Sequence, residues 1–184
     1  FAEDIVRQTS VAGVDLRATL RVPEQTTSTY LSVLDSAGEM QLAINDMDLV
    51  NALTPKVLAE RMRDLEDAKA WVVDANLSED ALAFIFSNTQ SNIPIFAEPV
   101  SVTKAVKLLP WLSRITLLKP NRIEAAALTG RPEDSPVEDL SRALHDLGVK
   151  RVVISQGRDG VWGSDADGDV FAQPIFPVSI QSVT

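Results

Sequence analysis

The segment Ile115-Thr116-Leu117-Leu118-Lys119-Pro120-Asn121-Arg122-Ile123-Glu124-Ala125-Ala126-Ala127-Leu128-Thr129-Gly130 carries the organisation of the whole chain in miniature. An apolar run ends at Lys119-Pro120, where proline removes a backbone donor and disfavours helix at the residue before it. Asn121 then stands where a helix N-cap belongs, and Glu124 three positions on completes a capping box. Gly130 closes the alanine-rich run in the left-handed conformation that glycine takes without strain. The pattern predicts strand, turn, capped helix and stop.

The same grammar extends in both directions. Apolar runs predict strands at Ala70–Asp74, Ile93–Ala97 and Arg151–Ser155. Helices are expected from the Thr54 cap and Pro55 to about Ala68, and over Ser78–Asn88, Val102–Leu112, Asn121–Thr129 and Ser135–Leu147. Short continuous apolar strands alternating with helices predict an α/β fold, a parallel-centred sheet with helices on both faces and right-handed crossovers. After Ser155 the strands crowd together around Gly157, Gly160, Gly163 and Gly168, so the sheet is expected to end in antiparallel strands.

Before Thr54 the pattern differs. A helix that resembles one already under way at Phe1 ends at Ala12-Gly13. Thr19–Val22, Ser28–Asp35 and Glu39–Asn45 are then rich in Thr, Val, Leu and Ile, with Ser36-Ala37-Gly38 as a turn. Neither face of this hairpin is plainly a deep core, and we read residues 17–46 as a β lid on a single domain spanning 1–184. Its unpaired edges invite pairing with a second copy, a homodimer through the lid.

Composition narrows the chemistry. Seventeen Lys and Arg against 26 Asp and Glu give a net charge of −9, a field that repels phosphate backbones and argues against a nucleic-acid partner. Zero Cys removes disulfides and thiolate chemistry, and one His leaves no His-based zinc site. No apolar run approaches the roughly 20 residues that span a bilayer, so neither a membrane partner nor a targeting leader is expected, and the expected place is the cytoplasm.

In an open α/β sheet, ligands bind outside the carboxyl ends of the strands. That rule selects Asp74 and Asn76, Glu98, Lys119 with Asn121 and Glu124, and Ser155 to Gly160. Asn121 and Glu124 have an ordinary reading as a helix cap, and Ser135-Pro136-Val137-Glu138 repeats the same grammar with no other sign of chemistry. Position separates the two: Asn121 follows a buried strand beside Lys119, where free N–H groups and a positive dipole end suit a phosphate. Ser155-Gln156-Gly157-Arg158-Asp159-Gly160 supplies a hydroxyl and unhindered amides for a phosphate, or is a plain hairpin turn. Asp74 either accepts hydrogen bonds from a sugar or caps its turn, and Glu98 before Pro99 is open to the same two readings. His145, near a helix C-terminus, is assigned no chemistry. Trp71, Trp111 and Trp162 are read as core or boundary residues. Asp165, Asp167 and Asp169 alternate like a calcium loop, but no Glu follows at the required place.

These elements, in this order, resemble the ribokinase-like (PfkB) family of carbohydrate kinases over nearly the whole chain. The resemblance rests on the lid strands, Asn121-x-x-Glu124 and Ser155-x-Gly157-x-x-Gly160. Thr26–Leu31, Gly38-Glu39-Met40, Ala43–Met47 and Leu118–Arg122 look most like members acting on pseudouridine. It implies ATP-dependent phosphorylation of the 5′ hydroxyl of a nucleoside, pseudouridine first, with ribose, adenosine or another sugar as alternatives. A non-catalytic nucleotide- or metabolite-binding module is the alternative from another class. The resemblance implies ATP and Mg2+ as cofactors, with Asn121 and Glu124 organising the ion through water. Lys119, Ser155, Gly157 and Gly160 would meet the nucleotide phosphates, and Thr29, Asn45 and Asp74 the substrate. It implies no catalytic residue within these positions, because the family's Gly-Ala-Gly-Asp motif, whose Asp is the base, falls after Thr184, and a Gly-rich substrate segment falls before Phe1. The 184-residue polypeptide is therefore expected to be an inactive fragment of a kinase. Arg122 and Glu98 depart from the family, whose members often carry another acidic residue and Asp there.

Overall fold

The computed structural model describes residues 1–35 and 40–176. They fall into two compact units, residues 1–67 and 68–176, each with its own sheet. No helix among the described residues is long and apolar enough to cross a membrane.

The first unit opens with α1 (Ala2–Val11). Strands β1 (Thr29–Leu34) and β2 (Met40–Asp46) form an antiparallel ribbon with Leu31 opposite Ile44 and Val33 opposite Leu42. The expected turn at Ser36-Ala37-Gly38 lies outside the described residues. Asp48–Ala52 adds a 3-10 turn, and α2 (Pro55–Met62) starts where Thr54 Oγ1 accepts from Val57 N at 3.4 Å. α2 tightens into a 3-10 turn at Arg63–Leu65 instead of running on to Ala68. Thr19–Val22, expected as a strand, is irregular. A strand exists only where a neighbour takes its N–H and C=O groups, and among the described residues β1 pairs only with β2, while Pro23 and a positive φ of 64° at Glu24 turn the chain. No described residue between 1 and 67 is buried, so Leu31, Val33, Leu42 and Ile44 lie exposed on one face of the ribbon.

The second unit holds the core. In chain order it contains β3 (Trp71–Asp74), α3 (Glu79–Asn88), β4 (Ile95–Glu98), α4 (Val102–Ala105), a 3-10 stretch (Val106–Arg114) and β5 (Leu117–Leu118). Next come α5 (Arg122–Thr129), α6 (Val137–Asp146), β6 (Arg151–Ser155), β7 (Val161–Asp165) and β8 (Val170–Gln173). The sheet runs β3-β4-β5-β6-β7-β8, parallel from β3 to β6 and antiparallel from β6 to β8, as the alternation and then the crowding of strands predict.

Each of the three crossovers between parallel strands steps the same way, so right-handed connections place their helices on one side of this sheet. Burial agrees: Val73, Ala97, Leu118 and Val152, in register across four strands, are all buried, whereas Val72 on the opposite face is 79% exposed. The mostly parallel sheet with its accompanying helices is the α/β fold expected from the sequence.

Two helices depart from expectation for physical reasons. The expected α-helix over Val102–Leu112 keeps only its first turn in α form, because Pro110 lacks an N–H and its ring clashes with the carbonyl four residues back. Ser135, expected to cap α6, makes no side-chain cap; Pro136 takes the N-cap position and Ser135 falls one residue outside the helix. His145 ties α6 to the sheet, its Nδ1 2.8 Å from Val149 O and its Nε2 2.8 Å from Ser164 Oγ. Because Val149 O can only accept, Nδ1 carries a proton and donates to it. Phe86 stacks on Trp111 with ring centres 5.3 Å apart. Trp162 packs beside Ile154, its Nε1 buried with no partner among the described residues.

Candidate active site

The carboxyl ends of β3, β4, β5 and β6 lie side by side, and they bring most of the selected residues of the 68–176 unit to one edge of the sheet. Asp74 and Glu98 end β3 and β4 in register. Lys119 follows β5, with its N–H donating to Ala97 O at 3.1 Å. Ser155 ends β6.

The capping box forms in full. Glu124 N donates to Asn121 Oδ1 at 2.8 Å, and Asn121 N donates to Glu124 Oε2 at 2.8 Å. Glu124 is only 3% exposed, so its carboxylate is fixed by burial as well as by the cap. The box leaves Asn121 Nδ2 and Glu124 Oε1 without a hydrogen-bond partner among the described residues. The start of α5 adjoins the end of β6 directly: Asn121 and Ser155 form a parallel bridge, and Ser155 N donates to Pro120 O at 3.0 Å. Two motifs more than thirty residues apart in sequence thus share one stretch of backbone.

Past Ser155 the chain makes a hairpin turn, with Gln156 N donating to Gly160 O at 2.9 Å and a 3-10 turn over Gly157–Asp159. The two glycines differ in kind. Gly157, at φ 58°, is exposed with nothing within 4 Å of where a Cβ would stand, which leaves its backbone open to an approaching group. Gly160, at φ 85°, is buried, and a Cβ there would meet Gln173 O at 2.1 Å; close packing against β8 accounts for that glycine.

Ion pairs and lysine contacts order the edge around β3 and β4. Lys119 Nζ lies 2.7 Å from Glu98 Oε2, the two side chains being 54% and 35% exposed. Asp74 Oδ1 accepts from Asn76 N at 2.8 Å, a turn-capping bond. Lys104 Nζ reaches Asn76 Oδ1 at 2.6 Å, and Lys107 Nζ reaches Leu77 O at 2.6 Å. Burial pushes the Lys107 ammonium below its ordinary range, Lys104 pushes the same way, and Glu79 and Asp74 oppose them.

In the first unit, Thr29 stands opposite Asp46 and Asn45 opposite Tyr30. Strand alternation therefore puts Thr29 on the Leu31 face of the ribbon and Asn45 on the other. Thr29 and Asp46 line a hollow of about 720 Å³ with Glu3, Asp4, Thr26 and Thr27, a wall rich in carboxylates and hydroxyls.

Sequence reasoning passed over Lys104 and Lys107, and it noted Arg122 only as a departure from the family pattern. Arg122 Nε donates to Glu133 O at 3.0 Å and its Nη2 to Ser135 O, so it fastens α5 to the loop before α6. Lys104 and Lys107 sit in no motif; their spacing on one side of a helical segment was the only available signal.

The sequence profile of the pfkB family carbohydrate kinases matches residues 1–184. Pseudouridine kinase of Escherichia coli (strain K12) is 43% identical over 172 residues, covering 92% of this chain and 54% of that protein. A putative sugar kinase from Clostridium perfringens matches with a TM-score of 0.72 at 29% identity, covering 89% of this chain and 52% of its own. A putative ribokinase II from E. coli in complex with ATP and Mg2+ shares the fold, with a TM-score of 0.80 at 19% identity over 97% of this chain and 60% of its own. The chain spans about half the length of the curated relatives it matches. A profile match over every residue, on a fold that brings Asn121, Glu124 and Ser155 to one sheet edge, leads to one conclusion: the chain belongs to the pfkB family of carbohydrate kinases.

Proposed function

We propose that the whole protein transfers a phosphoryl group from ATP to the 5′ hydroxyl of a nucleoside, pseudouridine being the first candidate, and that this chain carries the phosphate-organising edge. One observation carries the reading: the backbone bridge between Asn121 and Ser155, which sets a buried carboxylate, a helix N-terminus and the open Gly157 turn beside each other. The 43% identity with a pseudouridine kinase supports the choice of nucleoside.

Phosphoryl transfer asks the protein chiefly for positioning and charge neutralisation. Asn121 Nδ2 and the first N–H groups of α5 donate to phosphate oxygens, as does the Lys119 ammonium. Among the described residues no three His, Asp or Glu side chains cluster as a metal site, so Mg2+ would be held by phosphates and water, with Glu124 Oε1 accepting from that water. Mg2+ supplies neutralisation of charge on the transferred group when bound. Gly157 and the Ser155 hydroxyl offer a second phosphate contact, and the hollow at Thr29 and Asp46 offers acceptors for sugar hydroxyls.

The test is turnover by the whole protein with ATP, Mg2+ and pseudouridine, uridine, adenosine or ribose in turn. Preferred phosphorylation of pseudouridine is the expected result; ATP binding with no transfer to any of the four overturns the reading in favour of a binding module. The exposed Leu31, Val33, Leu42 and Ile44 face and the open edges of the ribbon support self-association with a second copy in the cytoplasm. Leu42→Asp with Ile44→Asp should then convert a sedimenting dimer to monomer, and a monomeric wild type at high concentration refutes that part.

A further inference from the structure

Val100 is the residue of the 68–176 unit whose backbone most opposes its side chain. Its φ is 70°, a region that a β-branched residue enters only under strain. Ser101 N donates to Pro99 O at 2.8 Å, closing a three-residue turn around Val100. The turn is braced from both ends: Pro99 is fully buried, and Ser101 caps α4, its carbonyl accepting from Ala105 N at 2.8 Å. Its own N–H points back along the chain, with Val100 N 3.4 Å from Glu98 Oε1.

The other Glu98 oxygen, Oε2, is the one that meets Lys119 Nζ at 2.7 Å. The carboxylate is thus pinned by the strained turn on one side and holds the lysine on the other. Lys119 needs such a holder. It is more than half exposed, on a flexible four-carbon stem, one residue from the Pro120 carbonyl that joins β6 and two from the Asn121 cap. Glycine at position 100 would take a φ of 70° freely, but it would also let the turn, and Glu98 with it, sample other conformations.

We propose that Glu98 is a positioning residue: anchored by the strained turn at Val100, it holds the Lys119 ammonium beside the Asn121–Glu124 helix start, where the nucleotide phosphates bind. This rests on the kinase reading above. Val100 is strained because the turn that fixes Glu98 requires it.

Four variants of the whole protein test this: Glu98→Gln, Lys119→Met, the double variant, and Val100→Gly. For each, the dissociation constant of ATP with Mg2+ is measured by calorimetry, KM for ATP and kcat by steady-state kinetics, and Tm by calorimetric melting. Glu98→Gln keeps the side-chain shape and loses the charge that holds Lys119, so we expect about a ten-fold weaker Kd and higher KM with kcat changed little. Because Glu98 acts through Lys119, the double variant should be no worse than Lys119→Met alone. Val100→Gly should raise Tm by a few degrees while weakening ATP binding several-fold. A merely structural turn would give the higher Tm with binding unchanged, which overturns the proposal. So does a Glu98→Gln loss that adds in full to that of Lys119→Met. A wild type that binds ATP but transfers nothing refutes the kinase reading alone, and the Kd values still decide this one. A wild type that binds no nucleotide refutes both.

Discussion

Replacing Glu124 by glutamine and by alanine separates its service as a helix cap from its service to a cation. In the structure its Oε2 accepts from Asn121 N at 2.8 Å and the side chain is 3% exposed. Glutamine is competent in a capping box, so Glu124→Gln keeps the bond and loses its charge. The difference between a charge-assisted and a neutral hydrogen bond, with the lost dipole interaction, comes to about 1 kcal/mol. Glu124→Ala loses the bond outright, leaves the Asn121 N–H without its acceptor, and empties space in a packed site. Those losses sum to about 3 kcal/mol. For a chain of this size roughly 2–4 °C of Tm accompanies each kcal/mol, so melting should fall by about 3 °C and about 9 °C respectively. Mg2+-dependent ATP binding should instead drop by about ten-fold or more in both, because the charge is gone in both. Glu138 is the internal control. It stands in the twin motif that makes no side-chain cap, so Glu138→Ala should change stability by less than about 0.5 kcal/mol. The assays are calorimetric melting and ATP titration with and without Mg2+. If Glu124→Gln leaves the Mg2+ dependence intact, the carboxylate is a cap and nothing more; if it melts as early as Glu124→Ala, the capping argument itself is wrong.

The two glycines of the β6–β7 turn should respond differently. Gly160→Ala would drive a Cβ to 2.1 Å from Gln173 O and should cost several kcal/mol, on the order of an overpacked core change, whereas Gly157→Ala meets nothing within 4 Å and should cost only about 1 kcal/mol for its positive φ. Equal urea midpoints for the two would refute the packing account. Lys107 sets a pH signature. Its folded pKa lies below the 10.5 of the unfolded chain, so between those values the folded state binds fewer protons, and its contribution to stability rises with pH. At lower pH the charged form carries the burial penalty in full. Lys107→Met should remove this rise from urea midpoints measured between neutral and alkaline pH, and a difference from wild type that is constant with pH would count against it.

Much of this was legible in the residues. Pro120, Asn121, Glu124 and Gly130 act through bonds to their near neighbours, so their roles follow from spacing, and the strand, cap and stop stand where the sequence puts them. The change from parallel to antiparallel strands after Ser155 also follows, since short Gly-containing turns suit hairpins and strands alternating with helices suit parallel crossovers. Other features were not legible because they depend on partners far along the chain. Thr19–Val22 has strand composition without a neighbouring strand, and Ser135 has cap chemistry one residue outside its helix. His145 looked like a dipole ornament until Ser164, from β7, came within 2.8 Å of it.

What the sequence determined alone is the inventory: an α/β alternation, a well-capped helix after an apolar strand, and a glycine turn after another. Each is set by backbone sterics and by hydrogen bonds reaching no more than a few residues. Only the tertiary structure decided that the two motifs touch, because the Asn121–Ser155 bridge is a hydrogen-bonding choice between strands that a linear pattern does not encode. It also decided which of two equivalent-looking capping motifs is buried, which of two glycines is open, and that Glu98 holds Lys119, since burial and charge pairing belong to the packed sheet edge and to no single segment.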